Sequence, residues 1–148
     1  MEDKIFTKLQ QKFFYIPLVI GWVLVVLACS LIFYITYEKT MTKVQSNLLK
    51  ASDAPYFQSD NFLYIFDKNG SLTVSQLENA YTESEIEEIT VFLKAETDNK
   101  FTIKSGKHFM YVKSSSVDDG ITTVKYVIIE YTDDMETLTA LAITLIVL

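Results

Sequence analysis

Two uncharged stretches divide the 148-residue chain into four segments. The residues from Phe13 to Tyr37 include no charge, and a helix that spans a bilayer needs about 20 apolar residues. Aromatic side chains lie at both ends of this stretch, as they do in the interfacial belts of membrane proteins. We therefore predict a transmembrane helix over residues 13–37, preceded by a short cytoplasmic N-terminus over residues 1–12.

A second uncharged stretch closes the sequence at residues 137–148. As a helix it would cover roughly 18 Å, whereas the hydrocarbon core of a bilayer is about 30 Å thick. Asp133, with Glu136 three residues later, has the spacing of an N-cap and its capping-box partner. We interpret this stretch as the start of a second transmembrane helix that is truncated. A short C-terminal core helix or strand is the alternative.

Residues 38–136, between the two stretches, have the mixed pattern of an α+β domain. Alternating and continuous apolar runs predict an antiparallel sheet with flanking helices. The expected strands are Phe62–Phe66, Ser71–Val74, Phe101–Ile103, His108–Lys113 and Ile121–Tyr131, with turns at Asp67–Gly70, Ser105–Lys107 and Asp118–Gly120. Two helices are expected: Glu38–Lys50, a polar continuation of the first helix that Pro55 ends, and Thr82–Ala95 inside the domain.

The second of these helices has the clearest boundaries. Thr82 has the residue type of an N-cap, and Glu85 has that of its capping-box partner. Ile86, Ile89 and Leu93 follow with helical spacing, so one face of the helix is apolar. We expect these three side chains to pack on the sheet.

Composition and charge exclude several classes of protein. One Cys and one His cannot form a disulfide framework or a zinc cluster. The net charge is −6 and the sequence has no Arg, so a nucleic-acid partner is not expected. His108 lies in an alternating pattern, and we interpret it as an ordinary strand residue. The sequence has no catalytic spacing, phosphate-binding loop or metal-ligand pattern, so we expect no catalytic residues, no metal and no cofactor.

Two groups of residues remain as candidates for binding. Four glutamates cluster in the first turns of a helix, where the helix dipole favours acids: Glu83, Glu85, Glu87 and Glu88. A site for a divalent cation or a cationic peptide is the sharper interpretation of this cluster, and a solvated helix face is the simpler one. Four strand aromatics are candidates to line a ligand pocket in the sheet: Tyr64, Phe66, Tyr111 and Tyr126. Ordinary core packing is the competing interpretation of these four residues.

Several short motifs follow one another in a defined order. Residues 61–70 form an aromatic-rich strand that ends in Asp-x-x-Gly, and residues 82–85 open a helix. Gly106 precedes Tyr111 in a strand, and residues 126–131 lead directly towards the second apolar stretch. With the basic N-terminus and the first transmembrane helix, this layout resembles the N-terminal sensor and transmembrane region of a membrane-bound two-component sensor histidine kinase of Gram-positive type.

The resemblance implies a PAS-like extracytoplasmic sensor domain over residues 38–136, held between two transmembrane helices in the plasma membrane. It implies three partners: the lipid bilayer, a second copy in a homodimer, and an unidentified extracellular ligand. The phosphoacceptor and ATP-binding motifs of such kinases do not occur in this sequence, so the chain itself is expected to catalyse nothing. The full-length parent would be a protein-histidine kinase, which contacts its response regulator through a cytoplasmic part absent from this chain.

A second class of function stays open: a non-catalytic single-span membrane protein with an external α/β interaction domain, of accessory, immunity or lipoprotein-like type. Residues 26–29 weakly resemble a lipoprotein cleavage site, but the apolar run continues through Ile35, where a lipoprotein would have a polar tether. Lysines flank both ends of the first apolar stretch, so the positive-inside rule does not decide the orientation. The layout of the resembling kinases decides it instead.

Overall fold

The computed structural model describes residues 2–53, 62–76 and 80–147. Its elements, in chain order, are α1 (Glu2–Asp53), β1 (Phe62–Lys68), β2 (Ser71–Gln76), α2 (Glu83–Ala95), β3 (Lys100–Thr102), β4 (His108–Asp118), β5 (Ile121–Glu130) and α3 (Thr132–Val147). The predicted α+β class is therefore confirmed. Pro55, which was expected to end the first helix, lies outside the described residues.

The five strands form one antiparallel sheet in the order β2-β1-β5-β4-β3. Two hairpins are closed by turns with left-handed backbone: φ is 53° at Asn69 and 84° at Gly70, and it is 48° at Asp119 and 75° at Gly120. Asn-Gly and Asp-Gly pairs adopt these angles at low cost, which is why they favour two-residue hairpins. Asp67 also accepts a hydrogen bond from the Gly70 amide at 2.8 Å. Both predicted hairpin turns are confirmed.

Helices cover both faces of the sheet. One face, which we call the α2 face, has a core that includes Leu63, Ile65, Phe109, Tyr111, Tyr126 and Ile128 from the sheet, with Ile89 and Leu93 from α2. The other, the α1/α3 face, has a core that includes Phe62, Met110, Val127 and Ile129 from the sheet, with Val44, Leu48 and Leu138 from the two helices. Successive strand residues point to opposite faces, so β1, β4 and β5 contribute to both cores.

A single helix, α1, includes both the predicted span and the polar helix expected after it. An 18-residue window in this helix has a mean hydropathy of 2.7, and none of that window is buried. The second part of the helix is amphipathic, because Met41, Val44, Leu48 and Ala51 are buried against the sheet. One long apolar helix could therefore cross a membrane, and the same helix continues onto the domain.

The boundaries predicted for α2 are confirmed. Thr82 is the N-cap: its Oγ1 accepts from the Glu85 amide at 3.3 Å, and the Glu85 carboxylate accepts from the Thr82 amide at 3.0 Å. Ile89 and Leu93 are buried on the sheet, and Ile86 is half-buried beside them. The capping box thus determines where α2 begins, and the apolar stripe determines which side it buries.

The start predicted for α3 is wrong by two residues. The Tyr131 carbonyl accepts the first helical hydrogen bond, from the Met135 amide at 3.1 Å, so Tyr131 rather than Asp133 is the N-cap. The reason lies in the sheet, because the Tyr131 amide donates to the His108 carbonyl at 2.9 Å and holds the chain to β4 until the helix begins. Asp133 lies in the first turn instead, where the helix dipole stabilises its negative charge.

Some strand boundaries also differ from the prediction. β4 continues to Asp118 instead of ending at Lys113, because residues 114–118 pair with the first residues of β5. Val117 is the one β-branched residue in this serine-rich segment, which therefore has little of the composition that usually favours strands. β3 is shifted by one residue, and β5 ends at Glu130 because Tyr131 is already the cap of α3.

Candidate functional site

The four aromatic candidates lie on opposite faces of the sheet. Tyr111 and Tyr126 belong to the α2 face, with ring centroids 6.1 Å apart. Tyr64 packs on the α1/α3 face, and Phe66 shares that face because it lies two residues further along β1. The sheet therefore separates the two pairs and does not bring the four side chains together. A ligand-binding role for either pair stays a prediction.

Tyr111 and Tyr126 adjoin a row of stacked rings on the α2 face. Phe101 lies between Phe92 of α2, at 5.1 Å between ring centroids, and Phe109 of β4, at 5.5 Å. The Tyr111 ring is 6.2 Å from that of Phe101. Each such pair adds about 0.5–1.5 kcal/mol beyond the area that it buries. With exposed fractions of 9% and 8%, the two tyrosines are packed residues of the core.

The ion pair of Lys113 and Glu96 lies at one end of this row of aromatic rings. The Lys113 ammonium group contacts the Glu96 carboxylate and lies 6.0 Å from the centre of the Tyr126 ring. The hydrogen bond with Glu96 raises the pKa of Lys113, and burial, followed by the Glu96 charge, raises the pKa of Tyr111. Both groups therefore keep their protons at neutral pH. The pair attaches the C-terminal end of α2 to the sheet and is not suited to proton transfer.

Tyr64 helps to hold the end of α1 on the sheet. The Lys125 ammonium group lies 5.6 Å from the centre of the Tyr64 ring and donates to the Ser52 carbonyl at 3.4 Å. Ser52 lies in the last turn of α1. A cation over an aromatic ring is attracted by the ring quadrupole, so these three residues fasten the long helix where it reaches β5.

Two of the four clustered glutamates have structural partners. The Glu85 carboxylate, besides closing the capping box, binds the Lys107 ammonium group at 2.9 Å and accepts from the Ser105 hydroxyl at 3.2 Å. The hydrogen bond from the Thr82 backbone, followed by that from Lys107, lowers the pKa of Glu85. Glu88 accepts from the Lys104 amide at 3.0 Å. The cluster thus anchors the β3–β4 loop, and among the described residues no group of three or more His, Cys, Asp or Glu could hold a metal.

His108 is the first residue of β4, as the alternating pattern indicated. Its Nδ1 lies 2.9 Å from the Thr102 hydroxyl of the paired strand β3, and its ring centroid is 5.9 Å from that of Tyr131. These contacts place it at the end of the sheet from which α3 leaves. Its side chain has the environment of a half-buried strand residue.

An apolar groove lies between α1 and α3. Its volume is about 750 Å³, and its lining consists of Trp22, Val25, Val26, Cys29, Ser30, Phe33, Tyr34 and Tyr37 of α1 with Ala142, Leu145 and Ile146 of α3. α3 therefore runs back along the apolar part of α1, in the opposite direction. Cys29, considered above for a cleavage site, is a half-buried residue within the helix and faces this groove.

A hydrogen-bonded group that no motif in the sequence predicts lies at the junction of β5 and α3. Glu130 receives hydrogen bonds from Tyr81 and Thr132, which belong to opposite sides of the sheet. Two signals were available. Glu130 ends an apolar run, and Tyr81 directly precedes a capping box, where an apolar residue often packs on the helix.

No protein-family model, no curated protein and no solved structure matches this chain. Its function is therefore inferred from its own residues and contacts.

Proposed function

We propose that this chain is the extracytoplasmic sensing and transmembrane signalling part of a two-component sensor histidine kinase. In this proposal the domain at residues 38–136 lies outside the cell, α1 crosses the plasma membrane, and α3 enters it beside α1. Two copies form a homodimer, and the kinase activity belongs to a cytoplasmic part of the parent protein. The observation that carries the proposal is the unbroken connection of the domain to both helices.

On the α1 side this connection is one continuous helix. The unburied apolar window and the residues that pack on the sheet, from Met41 to Ala51, belong to the same element. A helix keeps its backbone hydrogen bonds internal, and Pro17 interrupts those of α1 only near the start of the apolar stretch, so the part of α1 after Pro17 moves along its axis as one body. Displacement of the domain would therefore displace the membrane part of α1.

On the α3 side only Tyr131 separates the last strand from the helix. This residue is buried and bound to β4, and no Gly or Pro lies between β5 and the end of α3. A glycine-rich joint would absorb movement because it is flexible. The groove shared with the apolar part of α1 supports the entry of α3 into the same membrane.

Strand order supports the PAS-like part of the proposal. The order β2-β1-β5-β4-β3, with helical structure before β1 and between β2 and β3, is similar to the arrangement of PAS-like domains. In this arrangement the last strand is central, so the helix that follows it leaves from the middle of the sheet. A structural change on either side of the sheet would therefore occur close to the point where α3 begins.

The experiment joins residues 1–147 to the cytoplasmic part of a characterised sensor histidine kinase and measures autophosphorylation with ATP in membrane vesicles. Two glycines inserted between Thr132 and Asp133 should change the phosphorylation level about fivefold or more, which is the lower range of allosteric coupling. The matched control places the same two glycines between Asp119 and Gly120, in the β4–β5 turn. That control should leave the level unchanged.

An unchanged level after the junction insertion would contradict the proposal. It would favour the alternative, a non-catalytic membrane protein with an external interaction domain. The orientation is tested separately with alkaline phosphatase fused at Ser71, an exposed residue at the start of β2. This enzyme is active only outside the cytoplasm, so an active fusion is expected.

A further inference from the structure

The carboxylate of Glu130 connects the beginnings of two helices. The Tyr81 hydroxyl donates to Glu130 Oε2 at 2.8 Å, and the Thr132 hydroxyl donates to Glu130 Oε1 at 2.9 Å. Tyr81 directly precedes the N-cap of α2, and Thr132 is the first residue of α3. These helices cover opposite faces of the sheet, so one side chain bridges the two sides.

Tyr81 is held firmly on the α2 side. Gln76, the last residue of β2, accepts from the Tyr81 amide at 2.9 Å and donates to the Tyr81 carbonyl at 3.3 Å. The Tyr81 ring meets Phe109 edge-on at 5.7 Å. The Lys107 ammonium group lies 5.0 Å from the same ring while it binds Glu85 in the first turn of α2. Tyr81 is thus tied to the edge strand β2 and to the start of α2.

Thr132 is held equally firmly on the α3 side. Its hydroxyl oxygen accepts from the His108 amide at 3.0 Å while its proton is donated to Glu130. The neighbouring Tyr131 amide donates to the His108 carbonyl at 2.9 Å. The first turn of α3 is therefore attached to β4 by two hydrogen bonds and to Tyr81 through Glu130.

The protonation state of Tyr81 suits this bridge. Burial, followed by the hydrogen bond with Glu130, raises the pKa of Tyr81, so its hydroxyl remains a donor at physiological pH. Each of the two carboxylate oxygens of Glu130 accepts one of the two hydroxyl donors.

We propose that Glu130 is a positioning residue that couples α2 to α3: a displacement of Tyr81 with the first turn of α2 passes through the carboxylate to Thr132 and the first turn of α3. This inference deepens the proposed function, because it names the contacts by which a change on the α2 face would reach α3. The signalling role of that coupling rests on the proposed function. The coupling itself is a property of the chain and is measured without kinase or ligand.

The test is hydrogen–deuterium exchange of the full chain in detergent micelles. Tyr81→Phe removes one hydroxyl and should speed exchange of the Tyr131 and Met135 amides about tenfold, because hydrogen bonds to charged acceptors are worth at least that factor. Tyr111→Phe removes the hydroxyl of another buried tyrosine on the α2 face and is the matched control. It should leave both amides at the wild-type rate, and the Ile65 amide in β1 should stay protected in every variant.

A double variant separates coupling from ordinary stabilisation. Glu130→Ala removes the carboxylate itself, and since the Tyr81 hydroxyl reaches α3 through that carboxylate, Tyr81→Phe should speed exchange less than about twofold once Glu130→Ala is present. Four outcomes would each overturn the inference: an unchanged rate in Tyr81→Phe, an equal effect of Tyr111→Phe, fully multiplicative effects in the double variant, or equal acceleration at Ile65, which reports global unfolding. None of them bears on the phosphorylation test, so failure of this inference and failure of the proposed function are distinguishable.

Discussion

The two faces of the sheet are closed in different ways. The α2 face is covered by a helix that begins and ends within the domain, over a row of stacked aromatic rings. The α1/α3 face is covered by two helices that leave the domain and share an apolar groove outside it. The contacts of the α2 helix therefore lie within the domain, whereas those of the α1/α3 face also connect the domain to the long apolar part of α1.

Because of this difference, we expect loss of packing in the two cores to have different consequences. Loss of packing on the α2 face should unfold the sheet, because no other described element covers its aromatic residues. Loss of packing on the α1/α3 face should detach a helix while the sheet and α2 persist. The bridge at Glu130 is the point where the two sides meet through side chains.

The largest effect is expected from Ile89→Asp on the α2 face. Ile89 is fully buried between α2 and the sheet, and an uncompensated buried charge costs about 3–5 kcal/mol against a typical domain stability of about 5–15 kcal/mol. The near-ultraviolet circular dichroism of the packed tyrosines should be lost or melt at a much lower temperature. Val91→Asp, on the same helix at a position that is 67% exposed, is the control. If both variants melt like the wild type, α2 does not close this core.

Leu48→Ala should weaken the α1/α3 face by about 2–5 kcal/mol, the usual cost of emptying a buried leucine site. Leu48 is 1% exposed and packs between α1 and the sheet. Hydrogen exchange should accelerate in α1 around residues 41–51 while the tyrosine dichroism persists. Leu49→Ala, at a position that is 49% exposed, should change neither. Simultaneous loss of both signals in Leu48→Ala would show that the two faces unfold as one unit and would break the comparison.

Most elements could be predicted from the sequence because their signals are local. The capping box of Thr82 and Glu85, the left-handed Asn69–Gly70 turn and the apolar run of α1 each act within one segment of the chain. In the structure these features occur where the pattern placed them.

The arrangement of the four aromatic candidates on opposite faces of the sheet could not be predicted, because it depends on strand register. Tyr64 and Ile65 are neighbours, and the direct pairing of Ile65 with Tyr126 decides which of them faces α2. A shift of one residue would reverse both. The start of α3 was predicted wrongly for a similar reason. Asp133 has a suitable residue type for an N-cap, but the hydrogen bond between Tyr131 and His108, which decides where the helix begins, comes from tertiary pairing.

Thr82→Ala should have a smaller effect and lower the free energy of unfolding by about 1 kcal/mol, through the α2 side of the sheet. The substitution removes the hydroxyl that accepts from the Glu85 amide, which leaves a helix N-terminal donor without its cap. The urea midpoint, followed by tyrosine dichroism, should fall accordingly. Thr90→Ala is the control, because the Thr90 hydroxyl only donates to the Ile86 carbonyl one turn earlier and Ala is the better helix former. A midpoint that falls equally in both variants would show that the cap is not the cause.

The smallest expected effect is a pH dependence from Glu85. The hydrogen bond from the Thr82 backbone, followed by that from Lys107, lowers its pKa below the ordinary value of 4.5. A carboxyl whose pKa is lower in the folded state than in the unfolded state stabilises the fold above the unfolded value. That contribution is lost as the pH falls through the folded pKa. The effect is small because the carboxylate lies near solvent, which screens its ion pair with Lys107.

Glu85→Gln isolates this contribution, because the amide has nearly the same size but does not ionise. Between about pH 6 and pH 3 the urea midpoint of the wild type should fall more than that of the variant, and the two midpoints should approach each other at the acidic end. Glu87→Gln, exposed on the same helix, is the control and should follow the wild-type curve. Hydrogen exchange of the Leu48 amide should respond to pH alike in wild type and Glu85→Gln, because Glu85 contacts the α2 side of the sheet and Leu48 the other. A difference at Leu48 would show that the stability contributed by Glu85 reaches the other face of the sheet, and the two faces would then not be independent.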